Sequence, residues 1–127
     1  MHPNEKLLRD ADQAQAKGDM AVVASFYADD VIVHVPGKSS LAGEYKGKDQ
    51  FLELYGRFME RTPEYSFEPH AYLADDEHGI ILQRSHYERG NETLDSNDTF
   101  VCHFRDGKIS EFWFSSDDPY AVDAFLG

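Results

Sequence analysis

The sequence predicts an α+β fold in which helices cover one face of an antiparallel sheet, and three observations predict it. Apolar residues recur at helical spacing through the first half of the chain, alternate beyond Glu64, and meet a hairpin signal at Asp106-Gly107 between two alternating runs. Helices followed by consecutive strands form layers, the helices lying on the apolar face of the sheet. A highly curved sheet would leave a cavity beneath it.

Asn4 to Lys17 carries Leu7, Leu8, Ala11 and Ala14 or Gln15 at helical spacing, which predicts an amphipathic helix. Gly18 stops it, and Asp19 is placed to cap a second helix through Met20, Val23, Phe26 and Tyr27. Val31 to Val35 is β-branched apart from His34 and ends at Pro36-Gly37, the pattern of a short strand. Gly37 to Gly47 reads as a loop. Phe51, Leu54, Tyr55, Phe58 and Met59 mark a third helix from Lys48 to Arg61, closed by Thr62-Pro63. Four strands follow: one led by Tyr65, Phe67, Pro69 and Ala71, then Gly79 to Arg89, Thr99 to Arg105 and Lys108 to Ser115. Gly90 to Asp98 reads as a longer polar connection. Asp118-Pro119 opens a terminal helix carrying Ala121, Val122, Ala124 and Phe125. Without repeat, low-complexity segment or linker, the 127 residues suit a single domain spanning 1–127.

Hydrophobic residues form 41% of the chain and aromatics 13%, enough to offset the entropy of ordering. Its 24 acidic and 12 basic residues give a net charge of -12, which repels phosphate backbones and argues against nucleic acid and anionic membranes as partners. No apolar stretch approaches the roughly 20 residues of a membrane span. The N-terminus has no apolar signal segment, and Cys102 is the lone cysteine, so a reducing, cytoplasmic setting is expected. Cys102, between Val101 and His103, reads as a small buried apolar residue. No His-Glu-x-x-His or close histidine pair points to a metal.

Several stretches carry a resemblance: Gly18-Asp19, Phe26-Tyr27-Ala28-Asp29-Asp30-Val31, His34-Val35-Pro36-Gly37, Gly47, Asp106-Gly107-Lys108-Ile109 and Trp113 to Asp118. In this order and spacing the chain resembles the SnoaL-like group, in the superfamily of nuclear transport factor 2, ketosteroid isomerase and limonene-epoxide hydrolase. The resemblance implies a cone-shaped fold whose curved sheet encloses an apolar pocket for a small hydrophobic molecule. It also implies a homodimer through the outer sheet face, with Trp113 and His103 as interface candidates. Two family mechanisms do not carry over. Val35 stands where ketosteroid isomerases place their general-base aspartate, and their other two catalytic positions fall near Ala11 and Phe100. Limonene-epoxide hydrolases are matched only in part: Arg84-x-His86 stands where they have Arg-x-Asp and His34 where they have a polar residue, and Phe114 replaces their second aspartate.

Alternation along the second long strand puts Leu82, Arg84 and His86 on one face. If that face looks into the cone and His34 approaches from the first strand, the two imidazoles can share acid and base roles while Arg84 holds a carboxylate or oxyanion. Tyr27, Phe51, Tyr55, Phe58, Phe100, Phe112 and Phe114 are the expected pocket lining. The structural alternatives are histidines satisfied by internal partners, an arginine paired with an internal carboxylate, and aromatics that are simply core. The expected function is cofactor-independent acid/base chemistry, of isomerase, cyclase or hydrolase type, on a small apolar carbonyl or carboxylate compound. A non-catalytic binding domain for a hydrophobic metabolite is the alternative, and an interaction domain acting through its sheet face is a third reading.

Overall fold

Four helices and six strands follow one another in a computed structural model that describes residues Met1 to Gly127. They are α1 (Pro3–Ala16), α2 (Met20–Ser25), β1 (Tyr27–Val35), β2 (Gly43–Lys46), α3 (Lys48–Arg61), β3 (Ser66–Ala74), β4 (His78–Arg89), β5 (Glu92–Arg105), β6 (Lys108–Ser116) and α4 (Pro119–Leu126). Local chemistry sets the helix ends. Pro3 occupies the first turn of α1, and the His2 ring accepts a bond from the Asn4 amide. Asp19 caps α2 and Asp118 caps α4, each carboxylate accepting the amide three residues on, from Val22 and Ala121.

One open sheet runs in the order β2-β1-β6-β5-β4-β3. Every neighbouring pair is antiparallel except β1 and β6, so the sheet is mixed where the sequence predicts a purely antiparallel one. Irregular pairing between Tyr27 and Ile32, between Pro69 and Ala71, and between His103 and Phe104 breaks the register within β1, β3 and β5. Bulges of this kind bend a strand and increase its twist, which curves the sheet around the helices.

Three element boundaries differ from those the sequence suggests. The second helix stops at Ser25, because the Phe26 carbonyl accepts a bond from the Ile109 amide and Tyr27 already belongs to β1. Within the expected loop from Gly37 to Gly47, β2 pairs with β1 from Val35↔Gly43 to Ile32↔Lys46. Gly90 to Asp98 is no polar connection either. The β4–β5 ladder runs from His78↔His103 to Arg89↔Glu92, turning at Gly90 in the left-handed region. Polarity does not keep this segment out of the interior, because Ser96 and Asp98 find buried hydrogen-bond partners.

The helices lie against the concave face, where Leu8, Val23, Phe51, Leu54 and Phe125 pack on Val31, Ile81 and Ile109 of the strands. The segment from Pro36 to Ala42 is strapped across one end. Asp123 Oδ1 accepts the amides of Lys38 and Ser39 at 2.8 and 2.7 Å, and Arg57 donates to the Ser40 carbonyl at 2.8 Å. This drives Leu41 inward until it is only 1% exposed. No helix is long and apolar enough to cross a membrane.

Candidate functional site

Between sheet and helices lies a cavity of about 140 Å³, and 20 of its 23 lining residues are hydrophobic. Strand alternation supplies most of the wall: Val33 and Val35 from β1, Ile81, Gln83 and Tyr87 from β4, Phe100 from β5, and Phe112 and Phe114 from β6. From β1 and the helices come Tyr27, Phe51, Tyr55 and Phe58. Tyr27 and Phe51 are 4.4 Å apart between ring centres, and Phe100 stacks on Phe112 at 5.1 Å. All seven aromatic residues that the sequence suggests as lining stand in this wall.

Three lining residues are polar: Asp12, Gln15 and Gln83. Asp12 lies on the stripe of α1 that also carries the buried Leu8 and Ala11, and its carboxylate accepts a 2.7 Å bond from the Tyr72 hydroxyl. Burial pushes this carboxyl up to about 6, the Tyr72 bond offsetting part of the effect. Arg9 does not neutralise it. Its guanidinium lies over the Tyr72 ring at 4.5 Å and bonds to Glu5.

The Gln83 amide is spent inside the protein, donating to Tyr65 Oη at 3.0 Å and Ser85 Oγ at 3.1 Å. Tyr87 donates to Asp98 at 2.5 Å, and Ser96 donates to the other oxygen of the same carboxylate. Tyr27 is only 7% exposed and lines the cavity. Since no buried polar side-chain atom is sealed off without a partner, its hydroxyl, bonded to no protein group, faces the open space of the cavity, as do the Tyr55 hydroxyl and the Gln15 amide. Burial pushes the Tyr27 phenol well above the ordinary range, and the charges of Asp12 and Cys102 act in the same direction. Burial likewise pushes the Cys102 thiol up to about 12, so it is no ready nucleophile.

His34, Arg84 and His86 are not brought together here. Along β4 the inward residues are Ile81, Gln83, Ser85 and Tyr87, while Leu82, Arg84 and His86 point outward, which reverses the face expected from the sequence. The fully buried Ser85 and Tyr87 fix that choice, since both hydroxyls find interior partners. Arg84 is exposed, and its charge helps hold Asp117 below the usual carboxylate range, after the hydrogen bonds from Asn97. His86 sits 2.8 Å from Asp95 and 3.4 Å from Glu88. His34 projects from the outer side of β1, 2.6 Å from Glu111, and stacks on Trp113 at 5.0 Å. With β6 and β5 between β1 and β4, the two histidines occupy separate parts of the outer surface. Trp113 and His103 share that surface, their rings 4.9 Å apart. No group of three His, Cys, Asp or Glu side chains is arranged to hold a metal ion.

A family model for the SnoaL-like domain matches residues 8–112, most of the fold described above. The chain belongs to the SnoaL-like domain family. Among its relatives is the uncharacterized protein Rv0034 of Mycobacterium tuberculosis H37Rv, 28% identical over 122 residues that cover 94% of this SnoaL-like domain and 92% of the relative. Bal32a, from a soil-derived mobile gene cassette, superposes with a TM-score of 0.92 at 28% identity, covering 98% of this chain and 97% of that one. An NTF2-like protein of unknown function from Burkholderia pseudomallei K96243 gives a TM-score of 0.90 over 99% and 98% of the two chains, and at 18% identity it speaks for the fold alone. These likenesses agree with the cone expected of a SnoaL-like domain.

The sequence reading missed Asp12. Its signal was present: an acidic residue on the same helical stripe as Leu8, Ala11 and Gln15, at a position that the periodicity assigns to the interior.

Proposed function

We propose that this SnoaL-like domain is an acid/base catalyst that moves a proton on a small apolar substrate, with Asp12 as the proton carrier. One observation carries the reading: a carboxyl with no cationic partner, its pKa pushed up to about 6, lines a largely apolar cavity. Near neutral pH such a group is mostly ionised yet costly to keep ionised, which suits a general base that must later return its proton. The Asp12 carboxylate takes a proton from the carbon next to a substrate carbonyl, and the Tyr27 hydroxyl donates a hydrogen bond to the oxygen on which charge develops. The protonated Asp12 then delivers the same proton to another carbon of the delocalised anion, which completes an isomerisation or sets up a ring closure. Nothing is oxidised or reduced. His34, Arg84 and His86 take no part, since they face away from the cavity.

Hydrogen–deuterium exchange of 1-phenylpropan-2-one in D₂O, followed by NMR, tests this directly. The protein accelerates exchange next to the carbonyl, the rate rises with pH through about 6 as Asp12 ionises, and Asp12→Asn abolishes the acceleration. Exchange undiminished in Asp12→Asn overturns the reading. Binding without exchange favours a non-catalytic metabolite-binding domain, which the internal pairing of Gln83, Tyr65 and Tyr87 also supports, because it leaves so few groups for chemistry.

A further inference from the structure

We infer that the cavity takes a neutral, single-ring aromatic compound bearing one hydroxyl group. The inference rests on the reading of Asp12 and Tyr27 as the groups that face the ligand; a hydroxyl compound held by both occupies the site without offering the C–H of the carbonyl substrate, and so competes with it.

Size comes first. An apolar protein cavity of about 150 Å³ holds one benzene ring, and this one measures about 140 Å³. A fused polycyclic ligand exceeds that volume and must extend out through the cavity's open side, where its further rings gain less apolar burial. Aromatic rings form a continuous part of the wall: Tyr27 lies 4.4 Å from Phe51 and meets Phe112 edge-on at 6.3 Å, and Phe100 stacks on Phe112 and tilts against Phe114. Aromatic rings pack on one another with a preference beyond their buried area.

Charge comes second. No lysine, arginine or histidine lines the cavity, and its one carboxyl is that of Asp12. A ligand carboxylate would be buried beside a like charge with no cation to meet it, which is the most expensive arrangement an apolar chamber offers. A carboxylate substrate needs an inward cation such as the sequence suggests in Arg84, and Arg84 lies on the outer face. An ammonium group would pair with Asp12, but it has three hydrogens to place. Asp12, the Tyr27 oxygen and the Gln15 carbonyl are the acceptors at hand, and both charges lose their water to reach them.

Hydrogen bonding comes third. Tyr27 is more than nine-tenths buried as a residue while its hydroxyl, bonded to no protein group, is open to the cavity space, and the Asp12 carboxylate has one protein donor, Tyr72. A ligand hydroxyl donates one hydrogen and accepts another. It thus satisfies an acceptor at Asp12 and a donor at Tyr27 with a single atom, leaving the rest of the ring to the apolar wall.

Calorimetric titration of the wild-type protein at pH 7.5 with four probes of one size separates these terms: 4-ethylphenol, ethylbenzene, 4-ethylbenzoate and 2-phenylethylamine. The expected order has 4-ethylphenol at least tenfold tighter than ethylbenzene, 2-phenylethylamine weaker than 4-ethylphenol, and no measurable binding of 4-ethylbenzoate. In Tyr27→Phe the tenfold advantage of the phenol shrinks while ethylbenzene binds as before. Equal or tighter binding of the benzoate or the amine overturns the inference, as does 2-anthrol binding more tightly than 4-ethylphenol. The wild-type series depends on no variant, so a folding failure in Tyr27→Phe leaves it decisive. It also stands apart from the catalytic reading: exchange undiminished in Asp12→Asn removes the proton carrier without touching the affinity order, and a wrong affinity order does not restore or remove exchange.

Discussion

The Tyr72 hydroxyl donates to the Asp12 carboxylate across 2.7 Å, joining the first helix to the third strand at the wall of the cavity. That single bond does not offset the burial of the charge, and the carboxyl remains pushed up to about 6 from 3.8. The folded state therefore holds this proton more tightly than the unfolded chain does. Stability is highest below the unfolded value, falls as pH rises through the interval between the two, and stays lower above it.

Asp12→Asn removes this cost while keeping an oxygen for Tyr72. The variant is expected to match the wild type near pH 4 and to exceed it at pH 7.5 by on the order of 2 to 3 kcal/mol. Urea unfolding at the two pH values measures the difference. A variant no more stable than wild type at pH 7.5 would show that the carboxylate is already comfortably solvated. Gain of stability with loss of proton transfer is the trade expected of a group retained for chemistry.

His86 is held by two carboxylates on the outer face, and the bond with Asp95 is the larger influence raising its pKa, with Glu88 adding to it. Its small contribution to stability is present below the unfolded value and lost as pH rises through the folded one. NMR titration of the imidazole should find it above the ordinary histidine range, and Asp95→Asn should bring it down. Proton transfer in the cavity should not change in that variant, because His86 faces the other way. A parallel loss of exchange would return His86 to the site.

Much of the fold was legible because it is written in periodicity. Phe51, Leu54 and Phe58 announce α3, and Asp106-Gly107 announces the last hairpin, where both residues adopt left-handed backbone. What alternation cannot supply is which of two faces turns inward when both are mixed. On β4 the outward set holds Leu82 and the inward set holds Gln83 and Ser85, so hydrophobicity alone favours neither strongly. The decision rests on partners from distant segments, above all Tyr65, whose hydroxyl meets Gln83 and Ser85. The same blindness hid the first half of β5, whose Ser96 and Asp98 look like loop residues until the Tyr87 hydroxyl reaches them.

Asp98 is only 1% exposed, and its two oxygens are met by Tyr87 and Ser96. Tyr87→Phe keeps the ring and strips one oxygen of its partner. A buried acceptor left unsatisfied costs about 1 to 3 kcal/mol, more when it is charged. The variant should lose that much unfolding free energy, read as a lower urea midpoint at unchanged slope, since the folded surface is the same. A loss below a few tenths of a kcal/mol would mean that Asp98 finds another donor.

The strap over the end of the cavity gives a test of coupling. Gly37 has a φ of +99°, and a Cβ there would collide with Asp123 Oδ1, the oxygen that accepts the Lys38 and Ser39 amides. Gly37→Ala therefore suffers twice, from its backbone conformation and from collision with the residue that fastens the strap. Asp123→Ala suffers differently: it frees two amides and loosens Leu41, at a cost of about 1 to 2 kcal/mol. Because removing Asp123 also removes the collision, the double variant should lose less than the two single losses combined, by about 0.5 kcal/mol or more, the range seen for residues in contact. Hydrogen exchange at Lys38 and Ser39 should speed up in every variant lacking Asp123. Strict additivity in urea unfolding would show that Gly37 is required for its backbone conformation alone. Coupling would show that the strap closes against Asp123 only because nothing larger than hydrogen stands between them.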